Sequence, residues 1–220
     1  MSWELSLEEL TIATHGKVLS TSKKTFTGVG TDTRKSLKGQ IFFALRGANF
    51  DAHDFLVAAA AQNASALIVS HLPESAKPLL KAVTIIEVTD VLQALQNLAL
   101  FWRHNVSAKI LAVTGTNGKT TTKEFASTIL SQKYKTQFSK GSFNNHWGVP
   151  LSLLSIEPEH EVAVIAPARE QALLEAGALN PLQPIGRDDL VGVHVAALER
   201  DTGARDDANL LHDWTPGVWA

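Results

Sequence analysis

The run V-T-G-T-N-G-K-T-T-T at residues 113–122 constrains this chain more than any other segment. Lys109-Ile110-Leu111-Ala112-Val113 leads into it and reads as a strand, and Thr121 to Ser131 follows and reads as a helix. Gly115 and Gly118 let the backbone turn tightly and expose successive N–H groups. With the positive end of the following helix, those donors form a site for phosphate oxygens. Thr116, Asn117 and Thr121 lie along the same turn. Lys119 is placed to reach the terminal phosphates and is the candidate catalytic residue, while the Thr120 hydroxyl is the candidate Mg²⁺ ligand. The common phosphate loop has four residues between its first Gly and Gly-Lys; here there are two, Thr116 and Asn117. A plain Gly-rich strand-to-helix turn would share the glycines. Gly-Lys-Thr with a strand before it and a helix after it is the more specific pattern, and it predicts nucleotide binding.

Composition bounds the rest. The 220 residues can hold one large domain or two small ones. The formal net charge of −2 gives no basic surplus to suggest a nucleic-acid partner. Cysteine is absent, which excludes disulfides and thiolate metal sites and fits a reducing compartment. The start, Met1-Ser2-Trp3-Glu4, is acidic and has no apolar signal core. Apolar stretches such as Phe55 to Ala61 are too short to span a bilayer. A cytoplasmic protein, soluble and monomeric, with no membrane partner, is the expectation.

Before the phosphate loop the pattern alternates. Ser6-Leu7-Glu8-Glu9 is a capping-box start, with Gly16 as the helix stop. Ile41 to Leu45 reads as a buried strand, and Asp54 as the cap of a helix from Phe55 to Gln62. Ala66 to Val69 and Val83 to Val88 are further strands. Asp90 caps a helix to about His104, with Val91, Leu95, Leu98 and Trp102 on one stripe. Asn105 to Lys109 is a natural junction. Beyond the phosphate loop come a helix to about Gln132, a strand Lys135 to Phe138, a loop to Val149, a short helix Pro150 to Leu154 and a strand Glu161 to Ile165. The class is α/β, with mostly parallel pairing in the second unit.

The composition changes after Ile165. Residues 1–165 hold 13 Lys, 3 Arg, 15 Ser and 9 Phe; residues 166–220 hold 4 Arg and no Lys, Ser or Phe. Strand signals nearly vanish there, apart from Leu190 to Val195. The division expected is 1–107, 108–165 and an atypical tail at 166–220. A shifted reading frame would produce such a junction, and an unusual but genuine subdomain is the alternative.

The shortened phosphate loop resembles that of the Mur ligase superfamily, which also holds the folylpolyglutamate synthases. Thr31-Asp32-Thr33-Arg34, Gly39-Gln40-Ile41-Phe42-Phe43-Ala44-Leu45-Arg46-Gly47 and Phe50-Asp51-Ala52-His53-Asp54-Phe55 resemble the N-terminal domain of Mur ligases that bind a UDP-muramoyl peptide. Gly141 to Pro150 resembles the G-N-x-N-N-x-x-G-V-P segment of the UDP-N-acetylmuramoyl-tripeptide–D-alanyl-D-alanine ligases, with Ser142 in place of the usual Asn. The segment typical of the branch that adds the third amino acid is not seen. The resemblance covers about residues 3–165. It implies a small UDP-sugar-binding domain followed by a truncated phosphate-loop central domain. ATP and Mg²⁺ are the implied cofactors, and UDP-N-acetylmuramoyl tripeptide and D-alanyl-D-alanine the implied substrates. It places Thr33, Arg34, Arg46, Asp51 and His53 near the UDP-sugar, and Asn144 and Asn145 near the nucleotide. Each also has a local reading. Arg34 suits a surface charge, Asp51 a turn cap, His53 a satisfied structural histidine, and an Asn pair often caps turns.

The chain departs from the family after Val162-Ala163-Val164-Ile165. There the family continues Glu-(Leu or Met)-Gly-Ala-Asn-His, whose Glu serves the metal site; here Ala166-Pro167-Ala168-Arg169 follows. The later His and Lys metal-site elements and the domain holding the adenine and dipeptide are not recognisable. A chain of ligase ancestry without ligase turnover is expected. The alternatives are a non-catalytic UDP-sugar or nucleotide-binding module and a ligase of the third-amino-acid-adding type.

Overall fold

The computed structural model describes residues 3–47, 49–115, 118–138, 147–166 and 193–198. The chain opens with β1 (Leu5–Ser6), α1 (Leu7–Thr14), β2 (Lys17–Ser20), β3 (Thr25–Phe26) and β4 (Gly28–Gly30). The capping box forms as expected: the Glu9 N–H donates to Ser6 Oγ at 3.2 Å, and the Ser6 N–H to Glu9 Oε2 at 2.8 Å. The stop differs by one residue. His15, not Gly16, takes the left-handed conformation (φ 51°), and the N–H groups of His15 and Gly16 close onto Ile12 O and Thr11 O. Gly16 is required by packing instead, because a Cβ there would overlap the Ile86 side chain.

β5 (Gln40–Phe43) leads to a 3₁₀ turn at Ala52–Phe55 and α2 (Leu56–Ala61). Asp51, not Asp54, makes the cap here: its carboxylate accepts the His53 N–H at 3.0 Å, which tightens the entry into 3₁₀ and delays α2 to Leu56. Then come β6 (Ala66–Val69), a 3₁₀ stretch Glu74–Lys81, β7 (Thr84–Glu87) and α3 (Val91–Asn105), capped by Asp90 on the Gln93 N–H at 2.9 Å. The first sheet runs β2-β7-β6-β5-β4. β4 to β7 are mutually parallel and β2 is antiparallel to β7.

Period-two alternation splits the strand side chains between two layers. Ile41, Phe43, Ala66, Ile68 and Ile86 face α1 and α3; Phe42, Leu67, Val69 and Ile85 face α2 and the Glu74–Lys81 stretch. Because both faces are covered, the centres of these strands read as apolar runs, Ile41 to Phe43, Ala66 to Val69 and Ile85-Ile86.

The second unit carries β8 (Lys109–Gly115), α4 (Lys119–Leu130), β9 (Thr136–Phe138), α5 (Gly148–Leu154) and β10 (Val162–Ile165). β10 lies parallel between β8 and β9. On the other side of β8, β11 (Val193–Leu198) pairs antiparallel, from Val193 opposite Gly115 to Leu198 opposite Ile110. The junction at 107/108 falls between α3 and β8, but the apolar core crosses it. Val149, Leu153, Leu154 and Ile156 join Trp3, Leu98 and Trp102 in one buried cluster. The Trp3 and Trp102 rings meet with centroids 4.9 Å apart and planes tilted by 34°, and their indole N–H groups donate to Leu154 O and Ile156 O, each at 2.8 Å. On the outer face of α4, Phe125 and Ile129 are 66% and 69% exposed.

Candidate functional site: loops at the carboxyl ends of two sheets

In the first sheet, the loops after β4, β5 and β6 all leave from the same end, the carboxyl end of parallel strands. This is where open α/β sheets place their ligands. Thr33 and Arg34 follow β4, Arg46, Asp51 and His53 follow β5, and Ser70 and His71 follow β6.

Arg46, Asp51, His53 and Ser70 form one hydrogen-bonded chain. Arg46 donates to Asp51 Oδ2 through Nε at 2.9 Å and Nη2 at 2.7 Å. Asp51 Oδ1 receives the His53 backbone N–H and lies 2.6 Å from Nδ1 of the same ring. The Ser70 N–H donates to His53 Nε2 at 3.0 Å. A backbone donor at Nε2 requires a lone pair there, so the ring proton sits on Nδ1 and points at Asp51. His71 stacks on His53 with ring centroids 4.3 Å apart. His53 is buried and both its ring nitrogens are engaged within the protein. Its part is to tie the β5 loop to the β6 loop. The Arg46 side chain is 74% exposed, and with Nε and one Nη2 proton held by Asp51, its remaining N–H groups face outward.

Burial works to raise the Asp51 carboxyl. The hydrogen bonds from the His53 backbone and ring and from Arg46 outweigh it and hold the group well below the usual carboxylate range. Asp32 is likewise drawn down, to about 2, by the hydrogen bonds of the Arg34 side chain and backbone, and the same contact raises Arg34. That pair is solvent-facing: Arg34 Nε lies 2.8 Å from Asp32 Oδ1, with the Arg34 side chain 88% exposed. Thr33 sits half-buried in the same turn.

Ser70, His71, Phe50 and Trp147 were not singled out from sequence. Ser70 had a usable signal: it directly follows the apolar run Ala66–Val69, so it must leave the carboxyl end of a buried strand. Phe50 and Trp147 lie in segments that carry the family resemblance, but their meeting depends on how the two units pack.

In the second unit, β8 runs into the phosphate-loop sequence and α4 begins at Lys119. Gly118 caps the helix in the left-handed region (φ 77°), a conformation that favours glycine. No side chain caps this end, and the first intrahelical bond is Thr122 N–H to Gly118 O. The first-turn N–H groups of an α-helix have no acceptor within the helix itself, and here Thr120 and Thr121 stand in that turn. Such an end suits an anion such as a phosphate. Lys119 is half-buried, and Thr120 and Thr121 are exposed. Thr116, Asn117, Asn144 and Asn145 lie outside the described residues, as does the side chain of Gly115's neighbour Thr114. Among the described residues no group of three His, Asp or Glu side chains could hold a metal ion. Among them, too, no helix is long and apolar enough to cross a membrane.

The two units thus define a phosphate-loop α/β protein with a second loop cluster on an adjoining parallel sheet. Residues 25–103 match the Mur ligase family, catalytic domain, and residues 113–173 match the Mur ligase middle domain. The chain belongs to the Mur ligase family. The middle-domain match runs past Ile165, where the composition changes. The UDP-N-acetylmuramoyl-tripeptide–D-alanyl-D-alanine ligase of Escherichia coli is 41% identical over 161 residues, which is 73% of this chain and 34% of that enzyme. The crystal structure of MurF from Acinetobacter baumannii superposes with a TM-score of 0.68 at 32% identity, over 76% of this chain and 36% of that one. MurF ligase from Thermotoga maritima, solved in complex with ADP, gives 0.57 at 28% identity, over 71% and 34%. The chain spans about a third of the length of these relatives.

Proposed function

We propose that this chain is the UDP-sugar-binding and phosphate-binding portion of an ATP-dependent ligase of peptidoglycan precursor synthesis, acting in the cytoplasm as a monomer. The reaction is the addition of D-alanyl-D-alanine to UDP-N-acetylmuramoyl tripeptide. The observation that carries this reading is the 41% identity to the E. coli enzyme across most of the chain. The placement of both loop clusters at strand carboxyl ends supports it.

Residues 1–107 take the UDP-sugar, and residues 108–165 take the nucleotide. At the first site Arg46 offers its outward N–H groups to the diphosphate, with Asp51 and His53 holding it in place and Thr33 and Arg34 alongside. At the second, the N–H groups at the start of α4 and the Lys119 ammonium receive phosphate oxygens, joined by Gly115 to Gly118, Thr121, Asn144 and Asn145. Thr120 holds Mg²⁺, which when bound neutralises phosphate charge. In the overall reaction the tripeptide carboxylate oxygen attacks the terminal phosphorus of ATP and ADP leaves. The dipeptide amine then displaces phosphate from the acyl phosphate and loses a proton. Lys119 contributes by stabilising charge on the transferring group.

The sequence from Ala166 onward lacks the family's metal-site Glu, so this chain binds without completing ligation. Calorimetric titration tests the reading. UDP should bind at the first site and a non-hydrolysable ATP analogue with Mg²⁺ at the second, each with a stoichiometry of about one. Absence of UDP binding overturns the assignment of the first site.

A further inference from the structure

Among the described residues, an aromatic contact joins the loop after β5 to the second unit. Phe50 meets Trp147 edge-on, with centroids 5.9 Å apart and planes at 87°. Phe50 is not a loose side chain. The Gly47 N–H donates to Phe50 O at 2.9 Å, and Arg46 and Asp51 bridge on either side. Its ring lies over Gly47 so closely that a Cβ there would come within 2.5 Å of Phe50 Cε1. Trp147 is the N-terminal cap residue of α5. The other end of α5 is fixed to the first unit by the Trp3 N–H on Leu154 O. The helix is therefore held at both ends, at one by a buried hydrogen bond and at the other by a half-exposed ring pair beside the substrate loop. A ring 49% exposed, clamped over a glycine, contributes little to a core. It does fix how the β5 loop stands relative to the second unit.

We propose that Phe50 and Trp147 are positioning residues that hold the UDP-sugar loop in register with the nucleotide-binding unit, so that a substrate spanning both is bound at both. This rests on the proposed function. The substrate's nucleotide end sits in the first unit, while its peptide carboxylate must reach the transferring phosphate in the second. A ligand confined to the first site does not sense that register, and one that spans the two units does.

The test compares UDP with UDP-N-acetylmuramoyl tripeptide on the full chain by calorimetry. The parent should bind the tripeptide substrate more tightly than UDP. An edge-to-face pair adds about 0.5–1.5 kcal/mol, so Phe50→Leu should cut that advantage roughly twofold to tenfold while UDP affinity stays at the parent value. Trp147→Leu should do the same, and Phe50→Tyr, which keeps the ring, should restore the parent ratio. A ratio unchanged in both leucine variants overturns the positioning role, as does a parent that binds the two ligands equally. If UDP does not bind the parent, the assignment of the first site fails, and this proposal with it. A loss of UDP affinity in Phe50→Leu shows a direct ligand contact instead and also overturns the proposal.

Discussion

The two units are joined through Trp102, and Trp102→Phe should show how much that junction contributes. The indole is 7% exposed, and its N–H donates to the carbonyl of Ile156, itself fully buried, across the boundary between α3 and the segment after α5. A phenyl ring can still stack on Trp3, so most of the aromatic contact survives. The donor does not. An acceptor left buried without its partner costs about 1–3 kcal/mol. The smaller ring also leaves a void, and buried large-to-small changes cost on the order of 1 kcal/mol or more beyond lost contacts. The sum is roughly 2–4 kcal/mol, a sizeable share of a stability of about 5–15 kcal/mol. With a urea slope of about 2 kcal/mol/M, the midpoint should fall by roughly 1–2 M without a change of slope. Far-UV circular dichroism and tryptophan fluorescence should trace the same single transition before and after the change. A midpoint within about 0.3 M of the parent would refute the reasoning, because the Ile156 carbonyl would then have found water. Two separated transitions in the parent would refute it differently, showing that the shared core does not make one cooperative unit.

Lys119→Ala should weaken binding of an ATP analogue at least tenfold, since a hydrogen bond to a charged group contributes about 1.5–3 kcal/mol and 1.4 kcal/mol is one decade; equal affinities in calorimetry would remove Lys119 from the phosphate site. Asp51 titrates below its unfolded value, near 3.9. Its contribution is therefore complete above that value and drains away as pH falls toward the folded value. Asp51→Asn should accordingly flatten the fall in unfolding free energy between about pH 5 and pH 2, and a variant whose pH profile parallels the parent's would contradict the Arg46–Asp51–His53 linkage. The 220-residue chain should release no phosphate in a manner dependent on both UDP-muramoyl tripeptide and D-alanyl-D-alanine, because aligning the reacting groups can be worth about 7–11 kcal/mol of barrier; turnover on the order of 1–10³ per second would show that residues after Ala166 supply the acceptor and metal groups, and Asp188, Asp189 and His194 would be the first to replace.

What could be read from the sequence was what depends on near neighbours. The Ser6–Glu9 capping box and the Asp90 cap need only residues three positions apart, and both form. The buried strand at Ala66–Val69 announces itself because a sheet covered on both faces makes every position apolar, and Ile85-Ile86 mark the centre of Thr84–Glu87 in the same way. β4 did not, since Gly28-Val29-Gly30 has almost no strand propensity. Gly30 is there because any Cβ would strike Leu37 and Gln40, both of which come later in the chain. The capping role of Asp54 went to Asp51 for a similar reason: the Asp51 carboxylate is already positioned by Arg46, across a bridge that the local sequence does not reveal. The site shows the same division. Arg46, Asp51 and His53 could be named from their order in the chain, but not what His53 does there. That depends on the parallel register in which Phe43 stands opposite Ile68, because this register brings the β6 loop, and with it the Ser70 N–H, up to His53 Nε2. A histidine that the sequence leaves open between a ligand contact and a satisfied structural residue is thus seen, once the register is known, to tie the β5 loop to the β6 loop. The outward-facing donor the ties leave behind is Arg46, and Arg46→Lys, which keeps the charge but loses the fork held by Asp51, separates charge from geometry at this site.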